Sequence, residues 1–267
     1  MLTTTTTGPR YWHQLQSPTD ALATVLFFPF AGGGVDSLRT LDRLLPPGCD
    51  AYCLSLPRNG DGEAAPSPTL AEIAEPIARE LAAGPLRPVV LVGMSIGALF
   101  ALKAASHLAA TPRVCVVIAQ SPAGLTRLHP APFREDDYCR LLEASGAITP
   151  DALADAEVRD EITRRLRTAF SVVREDDIRA VREDCAEEIF YAGGATDLLV
   201  PPGEMRQWHD LTHGRVTGRI LPGGHFFAFE KSNENAVREM LGAAVERAVS
   251  QHAQTLNQKT EGVETRE

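Results

Sequence analysis

Gly93-Met94-Ser95-Ile96-Gly97 has the residue types and spacing of a serine nucleophile in a tight turn. It follows the apolar run Pro88 to Val92 and precedes a segment with alanine and leucine at helical spacing, the strand-turn-helix context that G-x-S-x-G needs. Glycine is needed on both sides because side chains there would collide with the neighbouring strand and helix. The pattern predicts Ser95 as a nucleophile; the alternative is a chance match.

A serine hydroxyl needs a general base, and the base needs an acid that orients it. Asp197 comes just after the strand-like run Glu188 to Ala192, and His225 follows Val216 to Leu221 in a glycine-rich loop. Both positions fall at the same edge of a parallel sheet, and the order is serine, acid, histidine. We predict Asp197 as the acid and His225 as the base.

The other usual place for the acid follows the run Val114 to Ala119. The chain has Gln120 and Ser121 there, which favours Asp197. If Asp197 is not the acid, Asp176 or Asp177 is the next candidate.

An oxyanion needs two N–H donors, one normally from the residue after the nucleophile, here Ile96. The second donor is expected from the loop Phe28 to Gly34, at Ala31 or Phe30. The same glycines could be interpreted as a phosphate cradle, but they lack the spacing of a dinucleotide or P-loop motif.

His209 and His213 stand four residues apart, a spacing that can bind zinc on a helix. Asp210 stands where the zincin pattern has glutamate, and no third ligand is evident, so a surface helix end is favoured. We expect neither a metal nor a cofactor.

Strand-like and helix-like segments alternate along the chain. This alternation predicts a mostly parallel sheet covered by helices, and the sheet must position the candidate site residues. Strands are expected at Thr24 to Phe28, Asp50 to Leu54, Pro88 to Val92, Val114 to Ala119, Glu188 to Ala192 and Val216 to Leu221. Helices are expected at Thr69 to Ala83, Ser95 to Ala109, Pro202 to Leu211 and Asn233 to Ser250. We expect one domain over 11–251, with disordered tails at 1–10 and 252–267.

One region between two predicted strands interrupts the alternation of strands and helices, and its pattern is typical of amphipathic helices. This predicts a lid at about 129–187. Its apolar residues should partly pack on the sheet and partly line a substrate pocket. Those we single out are Leu141, Leu142, Ile148, Leu153, Leu166, Phe170 and Val173.

The chain has 267 residues, 44% of them hydrophobic, and a formal net charge of −9. This composition predicts a folded globular protein and disfavours binding to nucleic acid or anionic membrane. The 5 cysteines are scattered, and we see neither a membrane-span pattern nor an export signal. We therefore expect a reduced, cytoplasmic protein.

The chain resembles the α/β-hydrolase superfamily, and within it the type II thioesterases of polyketide and nonribosomal peptide biosynthesis. The resemblance covers about residues 11 to 248 and is carried by FPFAGGG, Leu56-Pro57, GMSIGA, Arg174-Glu175-Asp176-Asp177, GGATDLLVP, Trp208 and LPGGHFF. Met94 departs from the usual histidine, and residues 58–63 depart from the usual Gly-Arg-rich loop.

The resemblance implies an α/β-hydrolase fold with a helical lid, the triad Ser95, Asp197 and His225, and an oxyanion hole at the Ala31 and Ile96 amides. The implied substrate is an acyl group on the phosphopantetheine arm of an acyl or peptidyl carrier protein. Carrier proteins are usually acidic, so docking needs a local basic patch, with Arg164, Arg165 and Arg167 as candidates against a solvated helix face.

Three alternatives remain at this stage. The chain could be a free-standing esterase or lipase, or an enzyme that passes its acyl group to an internal nucleophile. A noncatalytic hydrolase-fold binding module is the third, and the complete residue set argues against it.

Overall fold

A seven-stranded sheet forms the centre of the protein. The computed structural model describes residues 11–56, 68–83, 87–108, 113–127, 135–146, 148–183, 185 and 188–264. The strands lie in the order β1-β3-β2-β4-β5-β6-β7; β1 runs antiparallel to β3 and the other pairs are parallel. They are β1 Trp12–Gln16, β2 Ala23–Phe28, β3 Cys49–Leu54, β4 Val89–Met94, β5 Arg113–Ile118, β6 Glu188–Gly194 and β7 Val216–Leu221.

Helices connect the parallel strands and cover both faces of the sheet. They are α1 Val35–Asp42, α2 Leu70–Ala83, α3 Ile96–Ser106, α4 Pro122–Arg127, α5 Glu135–Ser145, α6 Pro150–Ala154, α7 Ala156–Ser171, α8 Glu175–Glu183, α9 Trp208–Leu211 and α10 Glu234–Glu264. Short 3-10 helices span Pro202–Gln207, Phe227–Phe229 and Lys231–Asn233. This mostly parallel, helix-covered sheet confirms the predicted fold class.

Side chains of the buried strands alternate between two apolar cores. In β2, Val25 and Phe27 face the core shared with α1 and α10, whereas Leu26 and Phe28 face the core shared with α2, α3, α8 and the lid helices. All six residues of β2 are buried, as expected for a strand covered on both faces. The sheet therefore gives rigid support to the loops at the carboxyl ends of its strands.

Six strands were predicted and all six are present, with boundaries that shift by at most two residues. The sequence missed β1 because its residues WHQLQ are mostly polar, and as an edge strand it pairs with β3 alone. The eight-residue α1 and six-residue α4 were also missed because each is too short for a periodic pattern. The segment predicted as one helix at Pro202 to Leu211 is a 3-10 helix followed by α9.

The end of the chain differs from expectation. The last helix was predicted to end at Ser250, followed by a tail, but α10 continues to Glu264. The extension has no apolar period, and good helix formers such as Gln, Ala, Leu and Lys carry it instead. Residues 1–10, 57–67 and 265–267, which include the other predicted tail residues and the departing loop 58–63, lie outside the described ranges.

The predicted lid corresponds to α5–α8, between β5 and β6. Leu142, Leu153, Leu166 and Phe170 on α5–α7 join the core on one face of the sheet. The fourth of these helices, α8, packs on α3, and the Lys103–Asp177 ion pair links the two. We therefore reserve the term lid for α5–α7. No helix of the described ranges combines the length and apolarity needed to cross a bilayer.

Candidate active site

Ser95 lies in the sharp turn between β4 and α3, with φ 54° and ψ −126°. A positive φ is strained for a residue with a side chain, and the hydrogen bond from the Ser95 amide to the Ile118 carbonyl, 2.8 Å, holds it. A Cβ on Gly97 would lie 2.1 Å from the Phe28 carbonyl oxygen, and one on Gly93 would lie 2.5 Å from the Ala98 Cα. These contacts explain why the turn has glycine on both sides of the serine.

Asp197 and His225 meet below the surface. Nδ1–H of His225 donates to Oδ2 of Asp197 across 2.8 Å, and both residues are 4% exposed. The other carboxylate oxygen accepts hydrogen bonds from the amides of Leu199, 2.9 Å, and Val200, 3.0 Å. The carboxylate is thus oriented by backbone on one side and orients the imidazole on the other.

The loops that carry these two residues support each other. The Thr196 amide donates to the Gly223 carbonyl, 3.0 Å, and a Cβ on Gly194 would lie 2.2 Å from the Gly224 carbonyl oxygen. Asn233 closes the second loop, because its Nδ2 donates to the carbonyls of Pro222, 2.8 Å, and Phe227, 2.9 Å. Close backbone contact fixes the distance between acid and base.

The loop after β2 turns at Ala31 and Gly32. The Gly33 amide donates to the Phe30 carbonyl, 2.9 Å, and Gly32 has φ +79°, which favours glycine. Ala31 borders the same cavity as Ser95 and His225. Ile96 is the first residue of α3, so its N–H has no partner within that helix.

A cavity of about 580 Å³ extends from Ser95 and His225 toward the lid. The lid contributes apolar side chains, and the loop after β6 contributes more: Leu141, Leu142, Ile148, Ile162, Leu166, Phe170, Leu198, Leu199, Val200 and Pro201. Leu153 and Val173 are instead buried in the core. The prediction that some lid residues line a pocket and others pack on the sheet is confirmed.

Part of the cavity wall is polar. Gln120 and Glu204 border the cavity, as does Arg127, whose guanidinium donates to both carboxylate oxygens of Glu204 at 3.0 and 2.6 Å. The Ser121 hydroxyl also donates to Glu204, 2.8 Å. The hydrogen bonds from Arg127, followed by that from Ser121, lower the pKa of Glu204 although partial burial opposes them.

Asp176 and Asp177, the alternative candidates for the acid, do not contact His225. Asp177 pairs with Lys103 at 3.6 Å, and the exposed Asp176 pairs with Arg179 at 2.6 Å. His209 and His213 are both exposed, and the ring centroid of His209 is 6.3 Å from that of Tyr191. Among the described residues, no group of three His, Cys, Asp or Glu side chains could hold a metal.

The arginines proposed as a basic patch are partly neutralised. Arg164 and Arg165 both donate to the carboxylate of Glu161, the latter at 2.6 Å. These hydrogen bonds lower the pKa of Glu161. Arg167 is exposed. The local positive charge is therefore smaller than the sequence alone indicated.

The cysteines with described side chains are all buried: Cys49, Cys53, Cys115 and Cys185. Burial, with a smaller contribution from Asp42, raises the pKa of Cys49 to about 11 and that of Cys53 to about 12. These thiols act as core side chains.

The residues that support the site loops and form the polar cavity wall were not predicted from the sequence. Asn233 directly precedes α10, a position from which it could have been recognised as a capping residue, although its side chain bonds the preceding loop. Nothing local in the sequence marks the pairing of Arg127 with Glu204, 77 residues apart. The sequence marks Gln120 only as the residue at the other usual position of the acid, after β5.

Comparison with known proteins shows the family of the chain. Residues 23–245 match the Thioesterase domain family. The chain belongs to the thioesterase family. The predicted resemblance to thioesterases is thereby confirmed.

Proteins with related sequences or folds include thioesterases named for biosynthetic pathways. The chain is 29% identical over 229 residues to the probable cadicidin biosynthesis thioesterase of Streptomyces griseus, covering 81% of this chain and 61% of that protein. The fold matches the RedJ thioesterase of the prodiginine pathway in Streptomyces coelicolor with a TM-score of 0.67 at 22% identity, over 85% of this chain and 92% of RedJ. It also matches YbtT, a type II thioesterase of the yersiniabactin pathway, with a TM-score of 0.64 at 17% identity, over 90% and 100% of the two chains. These similarities confirm the α/β-hydrolase fold.

Proposed function

We propose that this thioesterase hydrolyses acyl groups from the phosphopantetheine arm of acyl or peptidyl carrier proteins, and acts as a type II enzyme in polyketide or nonribosomal peptide biosynthesis. The observation that carries the proposal is the buried Asp197–His225 pair, which opens with Ser95 onto one apolar cavity. The biosynthetic roles in the descriptions of the cadicidin protein and YbtT support the substrate class.

In the proposed first step, the Ser95 hydroxyl attacks the thioester carbonyl and its proton passes to Nε2 of His225. Asp197 keeps the proton on Nδ1 and stabilises the imidazolium that forms. The amides of Ala31 and Ile96 donate to the oxyanion. Collapse breaks the carbon–sulfur bond, the sulfur takes the proton from His225, and the acyl group remains on Ser95.

In the second step, water attacks the acyl-enzyme and gives a proton to His225, and the carboxylic acid leaves as Ser95 regains that proton. During both steps the apolar cavity under the lid holds the acyl chain. Its lining of leucine, isoleucine and phenylalanine side chains suits an alkyl chain.

Docking of the carrier is a separate part of the proposal. Arg167, with the remaining charge of Arg164 and Arg165, is the candidate contact for an acidic carrier. The scattered, buried cysteines support a reducing, cytoplasmic location.

The test uses carrier protein loaded with an acyl phosphopantetheine and measures its intact mass before and after incubation. We expect loss of the acyl mass with the native enzyme and a fall in turnover on the order of 10⁴ to 10⁶-fold in Ser95→Ala. A serine-directed reagent should add one mass to the native protein and none to Ser95→Ala. Ser106→Ala is the matched control, because this exposed serine lies at the far end of the same helix.

The same experiment separates the alternatives. Faster cleavage of the matched oxygen ester than of the carrier thioester indicates an esterase. A cyclic or transferred product indicates an internal acceptor. No acyl release together with retained carrier binding indicates a noncatalytic module.

A further inference from the structure

Gln120 is a polar side chain of the cavity whose role neither the triad nor the Arg127–Glu204 pair explains. It is 2% exposed and borders the same cavity as Ser95 and His225. It stands directly beyond Ala119, a residue with φ 53°, so the backbone here takes a strained conformation. A buried amide in such a position calls for an account of its donors and acceptors.

The carbonyl end of the Gln120 amide is fixed. Its Oε1 accepts a hydrogen bond from the Ser121 amide, 3.0 Å, and a Cβ on Gly124 would lie 2.0 Å from this oxygen. Because the Ser121 amide can only donate, the atom facing it must be the oxygen and not the nitrogen. The indole N–H of Trp208 holds the Gln120 carbonyl, 3.0 Å.

The nitrogen end of the same amide has no assigned partner. Within the ranges that the structure describes, Nε2 makes no hydrogen bond to the protein, and it is not among the fully enclosed polar atoms that lack a partner. Two N–H donors are therefore available at the cavity wall. An amide with one end bonded to the protein and the other end left to the cavity is suited to bind a ligand acceptor.

The topology places Gln120 and Ser95 at neighbouring strand ends. Met94 and Ile118 are paired residues on adjacent parallel strands, and Ser95 and Gln120 follow them by one and two residues. Adjacent strands lie about 4.8 Å apart. Gln120 therefore borders the cavity close to the nucleophile position, and the apolar lid side chains border the same cavity.

We propose that Gln120 is a specificity-determining residue that donates a hydrogen bond to an oxygen at C3 of the acyl group, so that 3-oxoacyl and 3-hydroxyacyl thioesters are preferred over saturated ones. This inference rests on the proposed thioesterase function. A saturated chain leaves the Nε2 donors without an acceptor. An ammonium at C2 is a donor only and does not satisfy them either.

The test compares pantetheine thioesters of hexanoate, 3-hydroxyhexanoate and 3-oxohexanoate. In the native enzyme we expect kcat/KM for the oxygenated substrates to exceed that for hexanoate by about 3- to 10-fold, the usual worth of one hydrogen bond. The two oxygenated arms show whether a carbonyl or a hydroxyl is the better acceptor.

Two substitutions separate recognition from support. Gln120→Glu keeps an oxygen for the Ser121 amide and replaces the donor by an acceptor, whereas Gln120→Met removes both polar atoms at similar size. We expect the oxygenated-to-saturated ratio to fall by about 3- to 10-fold in both. Ser145→Ala is the matched control, because this cavity serine already donates to the Leu142 carbonyl, 2.7 Å, and its ratio should match that of the native enzyme.

An unchanged ratio in both Gln120 variants overturns the proposal, as does an equal loss for all three substrates, which would indicate a purely structural residue. Failure of the thioesterase function is distinguished by binding. If no substrate is turned over, the affinities of Ser95→Ala for the corresponding acyl amides of pantetheine are measured. Preference for the oxygenated amides that disappears in Gln120→Met supports the proposal, and equal affinities refute it.

Discussion

The loops that carry Ser95, Asp197 and His225 are held by a different kind of constraint from the lid helices above them. In the loops, the backbone of one element lies close to that of another, so that a Cβ added to Gly97 at the start of α3 would be 2.1 Å from the Phe28 carbonyl oxygen. In the lid, helices are capped from within their own sequence, as Asp155 caps α7 by accepting from the amides of residues 157 and 158. Apolar side chains attach these helices to the core.

This difference indicates how the two parts respond to change. Backbone packed this closely leaves no room for a side chain, so these loops should tolerate few substitutions. Apolar packing of helices can be redistributed at a modest cost when volume is roughly kept. The loops should therefore fix the chemistry, while the lid can adapt the chamber to different acyl chains.

We expect the largest loss, a loss of turnover, from Asp197→Asn in the loops. The oxygen of the new amide would keep the hydrogen bonds from Leu199 and Val200, so its NH₂ would face Nδ1 of His225. A donor there favours the wrong imidazole tautomer, and turnover should fall on the order of 10⁴-fold. Steady-state kinetics on a carrier-bound acyl thioester, with circular dichroism to check the fold, measures this.

Asp176→Asn is the control for Asp197→Asn, because Asp176 is exposed and pairs with Arg179. It should keep the native rate. A nearly native rate in Asp197→Asn, or a large loss in Asp176→Asn, would show that His225 is oriented by another acid.

The next effect tests the backbone contacts themselves. In Gly97→Ala the new Cβ would lie 2.1 Å from the Phe28 oxygen, so the elbow or β2 must move, and we expect a loss of about 3 kcal/mol or more in the free energy of unfolding. Gly242→Ala is the control, because no atom lies within 4 Å of its added Cβ in α10 and stability should rise by about 0.5–1 kcal/mol. Urea unfolding of both variants measures the difference; equal stabilities would contradict a sterically fixed elbow.

The contrast between the loops and the lid also explains which parts of the site and the fold could be predicted from the sequence. Gly93, Ser95 and Gly97 are adjacent in the chain, and the strain that requires the glycines is local, so a short motif was enough. Asp197 follows the buried strand β6, and His225 follows β7, whose side chains are mostly exposed; the parallel pairing of these two strands brings their ends together. The fold class followed from the alternation of elements for the same reason.

Other features depend on contacts that no local pattern encodes. The donor of Gln120 becomes available only because its oxygen is bound by Ser121 and its backbone by Trp208, 88 residues away. The short polar β1 is stabilised by pairing with β3 rather than by its own propensity. The boundary between cavity-lining and core residues of the lid likewise depends on how α5–α7 pack.

The smallest effect concerns the lid, where substitutions should shift preference without abolishing turnover. Ile162 and Leu166 both line the cavity from α7, and Leu166 also lies near Gly32 in the loop after β2. Ile162→Ala should enlarge the chamber and favour longer acyl chains, and Leu166→Phe should favour shorter ones. Each methylene gained or lost in an apolar pocket changes discrimination by about 1–3 kcal/mol. We would measure kcat/KM over a series of saturated acyl thioesters.

Val158→Ala provides the control for the lid variants, because Val158 lies on the same helix, is exposed and does not line the cavity, so its chain-length profile should match the native one. Hydrogen exchange tests the underlying difference in stability. Since α5–α7 depend on apolar packing at one side, their amides should exchange faster than those of β4 and β5, which are covered on both faces. A lid as protected as these strands, with chain-length preference unchanged in both inner-face variants, would mean that the loops of the sheet set specificity as well as chemistry.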